Sequence, residues 1–148
     1  MSTTVDDEVP TWVRVVMVVA LAAPQLLVGL WALVAPHNWY DTFPGFAPHL
    51  ISAEPPFNQH LATDVGAGFF ATGVALIVAA ALARRSGVYV ALAAYAAFTV
   101  PHVIYHATHD APGLTTTENV LNVAVLGSSL IWLGLAAWGA RPRPRRSA

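Results

Sequence analysis

The sequence has no cysteine and no lysine, and little charge of either sign. Only 10% of its 148 residues are charged, 7 basic against 8 acidic. A soluble domain carries roughly 25%, so there is too little charge here to cover a water-facing surface. Without cysteine, neither a disulfide framework nor a thiolate metal site can form, and any metal would need His, carboxylate or amide ligands. Every basic residue is arginine. Also missing are a phosphate-binding glycine loop, a Ser/His/Asp nucleophile pattern and any nucleic-acid motif. No cleavable signal is read at the start. Asp6, Asp7 and Glu8 stand where a basic region would be, and the apolar run that follows is too long.

What is present is apolar, 56% of the chain. Four runs are each long enough for the roughly 20 residues a membrane helix needs. They cover about 11–35, 58–83, 88–107 and 117–140, with no strand-like alternation. The implied fold is all-α: a four-helix transmembrane bundle, residues 1–140, followed by a disordered arginine-rich tail, 141–148. Pro36 stops the first helix, because proline cannot continue the ladder. Arg84 to Gly87 forms the turn between the second and third. Pro112 and Gly113 form the next turn, and Thr115 with Glu118 has the spacing of a capping box.

Arginine sets the direction. Arg14, Arg84, Arg85 and the tail (Arg141, Arg143, Arg145, Arg146) fall toward one side, and positive loops stay cytoplasmic. Both termini are therefore expected inside, with the long 1–2 loop extracytoplasmic, in a multi-pass protein of the inner (plasma) membrane. The tail is expected to meet anionic inner-leaflet lipids. All six histidines then lie toward the opposite side.

On the third run His102, His106 and His109 are spaced i, i+4, i+7, along one helix face, just after Pro101. On the second, His60 and Asp64 are i, i+4, and Asp64 lies roughly 9 Å beyond Asn58 at helical rise. A carboxylate at that depth is expensive and usually faces the bundle interior. Glu118 and Asn122 are i, i+4 on the fourth run, and Gln25 lies near the middle of the first. One buried polar cluster is expected: His60, Asp64, His102, His106, Glu118 and Asn122, with His109 nearer the rim.

Three readings of the cluster stay open. It is a structural hydrogen-bond network, as in a non-catalytic bundle or an accessory subunit of a larger complex. It is a metal or small-ligand site, open to a redox link, with His60, Asp64, His102 and His106 as leading ligands and His109, Glu118 and Asn122 as further candidates; imidazole with carboxylate suits Fe, Zn or Cu. Or it is a proton-linked relay or transport component. Glu118 has a competing role as the capping partner. The aromatic, proline-rich stretch 35–60 reads as an interfacial belt through Trp39, Tyr40, Phe43 and Phe46, with an amphipathic segment near His49–Ser52. It could also act as a lid, in which case His37, Asp41 and His49 would approach the cluster from above. Homo-oligomerisation is open too.

The segments "WYDTFPGF", "PFNQHLATDVGAGFF" and "VPHVIYHATH" resemble a group of small four-span membrane proteins common in actinobacteria, and more distantly DoxX-like four-helix membrane proteins. In that group the second segment reads Tyr-Asn-Glu-His-Leu; here Gln59 takes the glutamate position. The resemblance implies the architecture and topology, and no reaction.

Overall fold

The computed structural model describes residues 7–142; Arg143, Arg145 and Arg146 of the tail lie outside that range. The described residues are helical with no strand. α1 (Thr11–Val34), α3 (Gln59–Leu82), α4 (Arg85–Thr108) and α5 (Thr116–Gly139) are each long and apolar enough to cross a membrane. Between α1 and α3 lies a short helix, α2 (Pro36–Thr42).

The span boundaries follow local chemistry, with two corrections. Ala35 leaves helical geometry at φ −140°, so α1 stops before Pro36. Pro36 then opens α2 as its first residue, where a missing N–H costs nothing. The helix in the connecting stretch is thus Pro36–Thr42, and Leu50–Ala53 is a turn. At the other end, Arg84–Gly87 is not a four-residue turn. Ala83, in the left-handed region at φ 55°, and extended Arg84 reverse the chain, and α4 starts at Arg85.

The bundle has a solid end and a hollow end. At the end where Val9 and Ala140 lie, Val13, Met17, Leu21, Leu76, Val88, Leu92, Tyr95 and Ala136 form one buried cluster. The backbone there is stapled across elements. The Val9 N–H donates to the Ala83 carbonyl at 2.9 Å, Arg14 Nε donates to the Ala80 carbonyl at 2.7 Å, and Arg85 Nη1 donates to the Ala140 carbonyl at 3.0 Å. Toward the other end, the loop end, a small cluster of Ala32, Trp39 and Ala62 is joined by Val28, Phe43, Ile51 and Val65.

In lipid, helices associate through close packing and polar contacts rather than through removal from water. Small residues therefore set which faces meet. Gly29 and Gly66 bring α1 against α3 so closely that a Cβ on Gly29 would lie 2.5 Å from the Phe70 amide nitrogen. The buried stripe of α3 is Ala62, Gly66, Gly73 and Leu76. α5 packs on α4 and on the Thr11–Ala22 half of α1, with no comparable packing on Ala23–Val34. The loop end is therefore left less filled.

Candidate functional site

Between the two clusters lies a cavity of about 670 Å³, within the range of roughly 300–1,000 Å³ usual for small-molecule sites. All four long helices line it, together with α2 and the stretch that follows. Its walls are mostly aromatic and aliphatic, including Val28, Tyr40, Phe43, Phe69 and Phe98.

Polar groups punctuate these walls, and three have no partner. Gln25 Oε1, Trp39 Nε1 and Thr99 Oγ1 are buried with no protein group in hydrogen-bond reach. Their residues are only 7%, 5% and 5% exposed, and all three line the cavity. An unsatisfied buried polar atom costs about 1–3 kcal/mol, so three around one space is not a neutral packing outcome. The set includes an acceptor (the Gln25 carbonyl), a donor (the Trp39 indole) and a hydroxyl that can do either. Gln25 and Thr99 stand on different helices at a matching depth, roughly 14 Å from the loop end of each at helical rise.

Local backbone explains why Gln25 reaches this position. α1 widens to a π-helix over Met17–Ala22, with the Ala23 N–H donating to the Val18 carbonyl. Pro24 follows directly. Its ring and missing N–H are incompatible with the normal ladder, and π-turns of this kind recur at functional sites. Ala20, Pro24 and Gln25 all face the cavity.

Nearer the loop end the lining becomes ionisable. His106 Nδ1 lies 3.6 Å from Glu54 Oε1, and Tyr105 Oη donates to Glu54 Oε2 at 3.4 Å. His102 sits one turn deeper, its ring 4.9 Å from that of His106 and edge-on. It is stacked on Phe98. Asn122 lines the opposite wall from α5.

Glu54 is held there by the connecting stretch, which forms a partial roof over the cavity. The Gly113 N–H donates to the Ala53 carbonyl at 3.1 Å. A Cβ on Gly113 would lie 2.8 Å from the Ala53 Cα, so the roof rests directly on the α4–α5 turn. That turn is organised by buried Asn119, whose Oδ1 accepts from the Ala111 N–H at 2.9 Å.

Compared with known proteins, the chain matches no family model, no curated protein and no solved structure.

The expected six-residue cluster is only half assembled. His102, His106 and Asn122 reach the cavity. His60 and Asp64 do not: they pair with each other at 3.2 Å and remain 87% and 60% exposed. The cause is the Ala62/Gly66 stripe. Close packing on α1 turns that stripe inward, and His60 and Asp64 lie roughly 160° around the helix from it. Glu118 is occupied as the capping partner, its Oε2 accepting from both the Thr115 N–H and the Thr115 hydroxyl at 2.7 Å. His109 falls one residue past the end of α4, in extended geometry, and its ring stacks on Tyr105 at an exposed position. His37 pairs with Asp41 at 2.8 Å, both exposed, and His49 is exposed as well. Among the described residues, no three His, Cys, Asp or Glu side chains converge in a way that could hold a metal ion. The His60/Asp64/His102/His106 ligand set is therefore not formed.

Sequence reasoning missed four cavity residues. Glu54, Tyr105 and Thr99 were not picked out as site residues, and Trp39 was taken for part of the belt. Ser128 and Ser129 also line the cavity, yet each hydroxyl donates at 2.6 Å to a carbonyl of its own helix.

Proposed function

We propose that this protein binds a small organic molecule, carrying both a hydrogen-bond donor and an acceptor, in the loop-end cavity. One observation carries the reading: three residues that line the same space, on α1, α2 and α4, each hold a deeply buried polar atom without a protein partner, and the three atoms are complementary in character. A structural network would have paired them, since buried polar groups in folded proteins nearly always find partners. The aromatic walls supply contact area, and His102, His106 and Glu54 supply polarity at one end. Arginine placement supports a plasma-membrane orientation with the loop end extracytoplasmic, so the cavity lies in the half of the bilayer away from the cytoplasm.

Native mass spectrometry of the full chain, released from mild detergent, tests this. A bound organic mass is expected on the wild-type protein. It should be lost from Thr99→Phe, whose larger side chain fills the cavity. Polypeptide mass alone, before and after supplementation with a membrane extract, would sink the reading.

A further inference from the structure

The cavity is partly covered at the loop end by the connecting stretch and borders a sideways gap between α1 and α5. Its roof is pinned by the Gly113–Ala53 hydrogen bond. Laterally, α5 leaves the Ala23–Val34 half of α1 without comparable packing, and a gap runs between them. Pro24 on α1, with Val125, Ser128 and Trp132 on α5, both line the cavity and are exposed on the outside of the bundle. These lip residues lie roughly 14–24 Å from the loop end at helical rise, which is hydrocarbon depth in a core about 30 Å thick. The lip is mainly apolar. Glu54, Tyr105 and His106 cluster instead at the loop end, where a headgroup would sit. Ionisable groups thus gather under the roof, the Gln25 and Thr99 side chains lie deeper in the wall, and the lip is apolar apart from Ser128.

We propose, building on the ligand-binding reading, that the bound molecule is a long-tailed amphiphile drawn from the surrounding bilayer. Its polar head lies under the roof beside Glu54 and His106 and extends down toward Gln25 and Thr99. Its apolar tail leaves between α1 and α5 into the leaflet at the loop end. A water-soluble metabolite would gain nothing from a gap at hydrocarbon depth. A fully enclosed ligand would be limited by the cavity volume, whereas a tail that passes through the gap is not. Tail length therefore separates the two cases.

The test uses the full chain in lipid nanodiscs and two probes sharing one donor–acceptor head, 4-ethylphenol and 4-pentadecylphenol. Binding is measured against mole fraction in the bilayer, with protein-free nanodiscs as blank. The long-tailed probe is expected to bind at least as tightly as the short one. Val125→Trp, which narrows the gap, is expected to weaken the long-tailed probe about tenfold, a shift of about 1.4 kcal/mol. Val90→Trp, on the exposed surface of α4 and away from the cavity, should leave it unchanged. Binding of ethylphenol with exclusion of pentadecylphenol would overturn the gap while leaving the cavity reading intact. Equal behaviour of the two tryptophan variants would overturn it as well. Failure of both probes to bind would remove both proposals.

Discussion

Replacing Gln25 by leucine separates a ligand-binding role from a structural one, because the two roles give stability changes of opposite sign. Leucine is close to glutamine in volume, so packing on α1 is nearly conserved. What changes is the carbonyl oxygen, which is buried and has no protein partner. Leaving such an atom unpaired costs about 1–3 kcal/mol, and removing it recovers part of that cost. In protein stripped of bound molecules by extended detergent exchange, Gln25→Leu should therefore raise stability by about 1 kcal/mol, the low end of that range because only part of the cost is recovered. With ligand present, the same substitution deletes a neutral hydrogen bond of about 1 kcal/mol and should weaken binding roughly fivefold to tenfold. Denaturation in sodium dodecyl sulfate, followed by far-ultraviolet circular dichroism, reads the first effect; ligand retention on native mass spectra reads the second. The reasoning fails if stripped Gln25→Leu is less stable than wild type by more than about 1 kcal/mol, since that would mean the carbonyl has a protein partner.

Gly29→Ala should lower stability by about 3 kcal/mol, near the top of the overpacking range, because the new methyl meets α3 backbone at 2.5 Å rather than a side chain that could yield; the same denaturation assay measures it. Asn119→Ala leaves the buried Ala111 N–H unpaired and should cost about 2 kcal/mol, with the roof loosened enough to speed proteolysis of the 43–58 stretch. Asp64→Asn, at an exposed position, should change stability by less than about 0.5 kcal/mol and leave ligand retention on native mass spectra intact. Ala83→Gly should raise the melting temperature, since an alanine in left-handed geometry costs about 1 kcal/mol that glycine avoids.

The spans, the capping box and the crowding of polar residues toward one end were legible because each rests on local chemistry: run length, a proline stop, a Thr-x-x-Glu spacing. The site was legible only in part. The i, i+4 spacing of His102 and His106 correctly put both on one face, and that face points into the cavity. The identical spacing of His60 and Asp64 points outward, because a helix with two distinct stripes can bury only one against α1, and the Ala62/Gly66 stripe packs more closely. The rule that deep carboxylates face inward was outweighed by backbone packing. Glu54 and Trp39 carry no periodic signal. Their positions follow from the roof resting on Ala53 and from α2 restarting at Pro36, both of which are tertiary events. Gln25 could be noticed as a polar residue in an apolar run, but its lack of a partner is visible only once the neighbouring helices are placed.

The Gly113–Ala53 hydrogen bond has a mechanical consequence. It joins the canopy over the chamber to the elbow from which the last helix descends. If that helix swings outward to admit a larger guest, the elbow pulls on residue 53, and with it the neighbouring carboxylate of Glu54. Under the proposal, sideways opening and rearrangement of the polar grip above it would thereby be geared to each other through the peptide contact at residue 53.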